Sequence, residues 1–136
     1  MARKRKIDCA AVPEPPAGSF TNCLEVGGQV FISGMTAGDG AGGIVGDASP
    51  FGQSATCLGR IRALIEAAGG TMADVVKLTV FLTDIADRSE FSRARREVFS
   101  GIMPCSTLVA IGSLAQPGLV VEVEALALLG AGGAGS

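Results

Sequence analysis

The sequence predicts an α+β domain in which two helices lie on one face of a mixed β-sheet. Three observations predict this fold class: a glycine-centred hairpin, two segments with helical periodicity, and later segments with the alternation of strands. Their order is hairpin, long loop, helix, strand, helix, strand, strand, which is typical of α+β domains. A length of 136 residues suits one core, so we expect residues 1–136 to form a single domain.

The N-terminal third contains a basic arm, a hairpin and a loop. Residues 1–12 begin with MARKRK, and prolines and acidic residues follow where an export signal needs an apolar run. We therefore expect a flexible arm, no export signal and a cytoplasmic protein. Glycines 27 and 28 separate two β-rich runs over residues 24–33, which predicts a tight hairpin. Residues 34–49 are a glycine-rich connector that lacks the Lys and Ser/Thr of a phosphate-binding loop.

Two segments have the periodicity of helices. Ser49 and Pro50 form an N-cap and first-turn pair before residues 50–68, and Gly69 and Gly70 end the pattern. A second helix begins after Asp87 or Ser89 and continues to about residue 99. The apolar positions at helical spacing are Leu58, Ile61, Ile65 and Ala68 in the first helix, and Phe91, Ala94 and Val98 in the second. The arginines of the second helix are expected to form a solvated face.

Three segments alternate as strands do. Residues 75–83 place Val76, Leu78, Val80 and Leu82 on one apolar face, which we expect beneath the helices. Residues 103–128 read as two further strands joined by a Pro-Gly turn. The remaining residues, 130–136, are too rich in glycine to pack and are expected to fray.

The last strand carries two glutamates among apolar residues. Period two places Val121, Val123, Ala125 and Ala127 on one side, which suits packing under the helices. Glu122 and Glu124 then point from the face that the helices leave bare. A carboxylate is costly in apolar surroundings unless it has a partner, so we expect a polar cleft between subunits at this face. The alternative is that both glutamates make rim salt bridges or meet solvent.

Composition restricts the possible partners and chemistry. Hydrophobic residues make up 48% of the chain and the mean hydropathy is +0.45, which favours a homo-oligomer. The net charge of −2 disfavours binding to nucleic acid, and no apolar run approaches the length of a membrane helix. The chain has no histidine and no paired CxxC spacing, which argues against a metal site and excludes histidine-based catalysis. The four cysteines are expected to be reduced and to serve packing, Cys105 included.

Several motifs together resemble one family. The sequence PCSTLVAIGSL at 104–114, followed six residues later by VEVEA at 121–125, resembles the C-terminal motif of the RidA family, also called the YjgF or L-PSP family. PPAGSFTNCLEVGGQVFISG at 15–34 is similar to the family's N-terminal segment and hairpin. IRALIEAAGGTMADVVKLTVFLTD at 61–84 is similar to its helix and central strand. The motifs occur in the family's order, so the resemblance covers nearly the whole chain.

The resemblance implies a chorismate-mutase-like fold and a homotrimer with clefts between subunits. It also implies hydrolysis of reactive enamines and imines, such as 2-aminoacrylate, to 2-oxo acids and ammonia, without a metal or an organic cofactor. In that mechanism a glutamate, Glu122 here, orients the attacking water, and an arginine two residues after the motif proline holds the substrate carboxylate. The other site positions implied are Phe20, Ser33, Gly34, Ser106, Thr107 and Leu108.

This chain departs from the family pattern at the arginine. Ser106 occupies that position, and a hydroxyl cannot make the charged, bidentate contact that a guanidinium makes with a carboxylate. We therefore expect weak or no deaminase activity on 2-aminoacrylate-type substrates. The candidates for a replacement cation are Lys77, Arg93, Arg95 and Arg96, and the sequence does not choose among them. Phe20 also replaces a common tyrosine, and Leu108 replaces a frequent cysteine.

Two functions remain open at this point. The first is a cofactor-free hydrolase of a small reactive metabolite, in which Glu122 positions water and Ser106 and Thr107 contribute hydroxyl contacts. The second is a binding module that captures a small molecule or a protein at the same cleft without turnover. Ribonuclease activity, sometimes attached to this family, is disfavoured because the chain has no histidine and no net basic charge.

Overall fold

The computed structural model describes residues 2–133 as one mixed sheet with two α-helices on one face, which confirms the predicted fold class. The strands are β1 Arg5–Lys6, β2 Cys23–Val26, β3 Gln29–Met35, β4 Val75–Leu82, β5 Cys105–Ala110 and β6 Val121–Leu128. The helices are α1 Pro50–Ala67 and α2 Arg88–Val98, and short 3-10 turns at Met72–Asp74 and Ile85–Asp87 precede β4 and α2. The spatial order is β1-β2-β3-β6-β4-β5. Within the described residues, no helix is long and apolar enough to cross a membrane.

Local signals set the hairpin and the bounds of α1 as predicted. The turn between β2 and β3 is made by Gly27 and Gly28, both with positive φ. The Ser49 hydroxyl accepts a hydrogen bond from the backbone N–H of Gly52 at 3.0 Å, which caps the start of α1. Gly69 has a φ of +98° just past the end of α1.

The last two strands lie on opposite sides of β4 instead of pairing with each other. β5 runs parallel to β4, whereas β6 runs antiparallel between β3 and β4. A turn between β5 and β6 was predicted from the sequence, but residues 111–120 instead cross the end of β4. The Ile111 N–H donates to the Leu82 carbonyl at 2.8 Å, and the Thr83 N–H donates to the Val120 carbonyl at 3.1 Å. These two bonds fix both ends of the crossing.

A bulge at the start of β4 corrects the predicted face of Val76. Between Val75 and Lys77, β4 advances by two residues while its partner strand β6 advances by one, from Ala127 to Leu126. The extra residue reverses the alternation at this point. Val75 is therefore buried beneath the helices, whereas Val76 is 37% exposed. The rest of the predicted apolar face, Leu78, Val80 and Leu82, is buried.

The N-terminal segment packs against the sheet, although residues 1–12 were expected to form a flexible arm. β1 pairs antiparallel with β2, and Arg5 Nε donates to the Glu25 carboxylate at 3.1 Å. Two apolar residues of this segment, Ile7 and Val12, are buried in the core. The sequence did not predict the burial of these two residues, because the segment was judged by its basic residues.

Part of the glycine-rich tail also has a fixed partner. The backbone N–H of Gly132 donates to the Asp74 carboxylate at 2.8 Å. The predicted tail spans 130–136, of which 134–136 lie outside the described residues, as does Met1. The described part of the tail thus packs beside the turn that precedes β4.

Two cysteines serve packing as predicted, and one does not. Cys23 and Cys57 are buried, which raises the pKa of their thiols to about 11 and about 12. Cys9 is half-buried against the core. Cys105 was expected to pack but is exposed, because it pairs with Lys77 on the face of the sheet opposite the helices.

Gln53 is a fully buried polar side chain that ties α1 to the segment before β6. Its Nε2 donates to the carbonyls of Ala48 and Gly118 at 2.9 and 3.0 Å. Its Oε1 accepts from the Val120 N–H at 3.0 Å. Since Val120 directly precedes β6, this amide fixes where the glutamate-bearing strand enters the sheet.

We expect Gln53→Leu to lower the free energy of unfolding by about 3 kcal/mol, because three backbone groups beside a buried side chain lose their partners. Urea unfolding followed by circular dichroism measures this loss. Gln116→Leu is the matched control, since its Nε2 also donates to two carbonyls, those of Gly42 and Gly43. Gln116 is half-exposed, so water replaces it and the expected loss is below about 1 kcal/mol. Equal losses in the two variants would contradict the role given to Gln53.

Candidate functional site

The face of the sheet opposite the helices carries the two glutamates of β6. The alternate residues of β6 are buried beneath the helices, and they are the predicted Val121, Val123, Ala125 and Ala127. On the opposite face, Glu122 is half-buried and Glu124 is exposed. We call this second surface the open face. The predicted orientation of both carboxylates is confirmed.

Glu122 lies in an apolar row of the open face. Its ladder partner on β4 is Phe81, whose own partner on β5 is Val109. Burial, with a smaller contribution from the charge of Glu124, raises the pKa of Glu122 above its ordinary value. A carboxylate with a raised pKa is better matched to accepting a proton near neutral pH.

Gly34 gives the Glu122 side chain its space. A Cβ added at Gly34 would lie 2.7 Å from Cδ of Glu122. The glycine reaches this position through a bulge, because three steps along β3, from Ile32 to Met35, match two steps along β6. The sequence singled out Gly34 through the family resemblance, and the structure shows its steric role.

The segment before β2 joins this region through Ser33. The Ser33 hydroxyl donates to the Thr21 carbonyl at 2.6 Å, and the Ser33 N–H donates to the Asn22 carbonyl at 2.9 Å. Phe20, the residue before Thr21, is 59% exposed and lines a cleft of about 190 Å³ together with Gly34. Four predicted site residues, Phe20, Ser33, Gly34 and Glu122, are therefore brought to one region of a single chain.

A larger cavity, of about 370 Å³, opens on the same face beside Glu124. Its polar lining includes Ser33, Lys77 and Thr79, and Phe31 contributes to its apolar part. The cavity pairs one cation with one carboxylate on neighbouring strands. It is thus suited to a small polar molecule with an apolar portion.

Thr107 is the predicted site residue of β5 that shares the open face. It pairs with Thr79 of β4, which in turn pairs with Glu124. Lys77 Nζ donates to the Thr107 hydroxyl at 3.3 Å. Thr107 therefore supports the lysine of the cavity beside it.

Ser106 and Leu108 lie on the helix side of the sheet. They pair with Leu78 and Val80 of β4, which are fully buried beneath the helices. Paired residues share a face, so Ser106 and Glu122 lie on opposite sides of the sheet in one chain. Ser106 and Leu108 instead line a groove of about 570 Å³ between β5 and α2, which we call the β5–α2 groove.

The candidate replacement cations take three different positions. Lys77 lies on the open face with the glutamates. Arg93 forms an ion pair with Glu90 at 2.7 Å. Arg95 and Arg96 line the β5–α2 groove. Of the four candidates, only Lys77 shares a face with Glu122, whereas Arg95 and Arg96 share a groove with Ser106.

Arg60 holds the glycine-rich loop beside this region, a role that the sequence did not reveal. Its Nη1 donates to the carbonyls of Thr36 and Gly38 at 2.6 and 2.7 Å. Contacts between a side chain and backbone carbonyls cannot be read from the sequence. Periodicity therefore indicated only that Arg60 lies off the apolar face of α1. Across residues 2–133, no three Cys, Asp or Glu side chains are arranged to hold a metal ion.

Comparisons with known proteins agree on one family. Residues 11–129 match the family model described as Endoribonuclease L-PSP. A RutC family protein from Sinorhizobium fredii is 32% identical over 109 residues, which cover 80% of this chain and 86% of the relative. A crystal structure of a protein of unknown function from Pseudomonas aeruginosa aligns with a TM-score of 0.85 at 42% identity, over 95% of this chain and 94% of its own. The structure of E. coli TdcF with bound serine aligns with a TM-score of 0.80 at 26% identity, over 92% of this chain and 98% of its own.

We expect Glu122→Gln to stabilise the protein at pH 7 and to leave its stability unchanged near pH 3. The folded-state pKa of Glu122 is raised, so ionisation of this carboxyl opposes folding. The penalty is absent below the ordinary pKa of glutamate and complete above the raised pKa. Denaturant unfolding across this pH range measures the difference. Glu124→Gln, on the same strand but exposed, is the control. Identical pH profiles for wild type and Glu122→Gln would contradict the prediction.

Gly34→Ala should displace the Glu122 side chain, because the new Cβ would lie within 2.7 Å of Cδ. We expect the displaced carboxyl to gain water and its pKa to fall towards the ordinary value of glutamate. A carbon-13 NMR titration of the glutamate carboxyls measures this pKa. Gly112→Ala is the control, since nothing lies within 4 Å of its added Cβ. An unchanged Glu122 titration in Gly34→Ala would rule out the steric role.

Proposed function

Because the chain belongs to the endoribonuclease L-PSP family, which includes the RidA-type proteins, we propose that it hydrolyses small reactive enamines or imines at clefts between the subunits of a homotrimer. The observation that carries this proposal is the position of Glu122. Its half-buried carboxyl, with a raised pKa, lies beside Gly34 on the open face. The proposed reaction uses no metal or organic cofactor.

The distribution of the site residues supports a cleft between subunits. Ser106 and Leu108 lie on the helix side of the sheet, whereas Phe20 and Glu122 belong to the region around Gly34. A ligand that contacts both sets therefore needs them from different copies of the chain. Large apolar side chains of the open face, such as Phe31, are exposed and available for burial by another copy.

In the proposed chemistry Glu122 orients the attacking water. An enamine first tautomerises to its imine, and the water oxygen then bonds to the imine carbon while Glu122 accepts a proton. The carbon–nitrogen bond breaks, the nitrogen leaves as ammonia, and the carbon becomes a carbonyl. One water molecule is consumed for each ammonia released. The raised pKa of Glu122 suits it both to take and to return that proton.

The presence of Ser106 restricts the class of substrate that we propose. A serine hydroxyl offers no charge to a substrate carboxylate, and losing a charged partner costs about 2–5 kcal/mol. We therefore propose that 2-aminoacrylate-type substrates react poorly and that the preferred substrate is neutral or held by another cation. The serine bound to E. coli TdcF indicates that a related protein holds a small amino acid, which supports a ligand of this size.

The same departure favours a second candidate, a binding module without turnover. With Ser106 in place of a guanidinium, the trimeric cleft would retain its shape and Glu122 but lose its grip on the reacting anion. In that case the cleft captures a small metabolite or a protein partner. Turnover by the wild-type protein distinguishes the two candidates.

The test is ammonia release from freshly generated imines, neutral and carboxylate-bearing. If the protein is a hydrolase, Glu122→Gln should lower kcat/KM about 100-fold or more, because a positioned proton acceptor is lost. Glu124→Gln, two residues away on the same strand and exposed, is the control and should retain most of the activity. On 2-aminoacrylate, Ser106→Arg should raise kcat/KM by at least about 30-fold.

Two outcomes would contradict the hydrolase proposal. The first is a wild type that releases no ammonia while Ser106→Arg does, which would leave the binding module as the function. The second is a wild type that remains monomeric in analytical ultracentrifugation at assay concentrations. Turnover by the wild type that Glu122→Gln abolishes would instead exclude the binding module.

A further inference from the structure

A cavity of about 330 Å³ lies where the C-terminal ends of α1 and α2 meet the start of β4. We call it the helix-end cavity. Its walls contain one arginine, one glutamate and several apolar side chains, and they include Arg62, Glu66, Met72, Val75, Phe99 and Ile102. We infer that this cavity binds an α-amino acid with a large apolar side chain, whose carboxylate contacts Arg62 and whose ammonium group contacts Glu66.

The two charged residues of the cavity are neighbours on α1. Arg62 and Glu66 are four residues apart, so they lie on one face of the helix with Cβ atoms about 5–6 Å apart. Within residues 2–133, neither side chain has an oppositely charged partner within salt-bridge distance. A cation that precedes an anion is the less favourable order for an ion pair within a helix. Both groups are therefore available to a ligand, and an α-amino acid presents the two complementary charges at a single carbon atom.

The apolar part of the lining comes from the start of β4, the turn before it and the segment after α2. Met72 and Val75 are buried and belong to the core, whereas Phe99 is half-buried against it. Ile102 is 99% exposed, so a ligand that covers it removes apolar surface from water. The cavity therefore favours a ligand with a large apolar side chain over a small polar one.

The C-terminal ends of two helices also contribute to the cavity. Glu66 belongs to the last turn of α1, and Val98 is the last residue of α2. A helix C-terminus carries a partial negative charge, which attracts a cationic group. A carboxylate without an ammonium group would contact Arg62 but would also meet Glu66 and both helix ends. The cavity is thus suited to a zwitterion and not to a simple anion.

The size of the cavity suits a single amino acid. Its volume of about 330 Å³ lies near the lower end of the range for ligand pockets, which is about 300–1,000 Å³. Thr71 and Ser100 add hydroxyl groups to the lining, and these can contact the polar end of the ligand. A peptide or a nucleotide would need a larger pocket.

The helix-end cavity is separate from the residues of the proposed hydrolysis. It shares no lining residue with the cleft beside Phe20 and Gly34 or with the β5–α2 groove, and Glu122 is not part of it. A Glu122→Gln variant that has lost turnover should therefore still bind the amino acid here. Loss of amino acid binding and loss of ammonia release can thus be measured independently.

The experiment titrates the full-length protein with L-leucine and follows amide shifts by NMR. We expect shifts at the end of α1 and in residues 98–102. Two analogues each lack one charged group, since 4-methylpentanoate has no ammonium group and 3-methylbutylamine has no carboxylate. Each should bind at least about tenfold more weakly than leucine, because a charge-assisted contact is lost. L-alanine, which lacks the branched side chain, should also bind about tenfold more weakly.

Substitutions in the chain test the same contacts. Arg62→Gln and Glu66→Gln should each raise the Kd for leucine about tenfold or more. Ile102→Ala should raise it about threefold, because part of the apolar contact is lost. All three side chains are exposed, so the variants should fold, and circular dichroism checks this. Glu97→Gln is the matched control, since Glu97 is an exposed glutamate in the last turn of α2 that does not line the cavity.

Three outcomes would overturn the assignment of this cavity. The first is that leucine shifts no amides at the end of α1 or in residues 98–102. The second is that 4-methylpentanoate binds as tightly as leucine, which would show that Glu66 and the helix ends do not recognise an ammonium group. The third is that Glu97→Gln weakens leucine binding as much as Glu66→Gln does.

Discussion

The arrangement of this molecule depends on a carboxylate held among apolar side chains on a sheet face that one chain leaves open. Glu122 is opposite Phe81 and against Gly34, so it has lost part of its hydration. An ionised carboxylate in such a place needs water, a donor or a ligand. If another copy of the chain covers the open face, that need grows, because bulk water is excluded. The placement of Glu122 therefore links the chemistry of this site to whatever covers the open face.

Irregularities in the sheet make that placement possible. The bulge in β3 places Gly34 beside Glu122, where an added Cβ would clash with the carboxyl group. On β4 a second bulge turns Val76 outward while Val75 completes the core. Gln53 and the backbone bonds of residues 111–120 then fix where β6 enters between β3 and β4. Each of these bulges and hydrogen bonds is a local feature, but together they set the register of the strand that carries the carboxylate.

The sequence predicted what local patterns control and missed what depends on distant contacts. The hairpin, the cap at Ser49 and the faces of β6 follow from turn chemistry and periodicity, and all were confirmed. The position of β5 in the sheet depends on its pairing with β4. The sequence did not reveal this pairing, because β5 and β6 follow one another in the chain and were expected to be joined by a turn. Alternation on β5 also separates Ser106 from Thr107, although the two are neighbours and were expected to act together. Val76 was misplaced because one inserted residue reverses a period-two pattern.

Arginines of α2 and the carboxylates of β6 lie on different sides of the sheet. The carboxylates of Glu122 and Glu124 lie on the open face, where Lys77 is the one cation lining the adjacent cavity. Arg88, Arg95 and Arg96 of α2, which have no carboxylate partner within residues 2–133, lie on the other side, next to Ser106. A ligand with a negative charge is attracted to the α2 side, whereas the group suited to direct water lies on the open face. A single copy therefore does not bring the α2 arginines and the Glu122 carboxylate onto one face of the sheet.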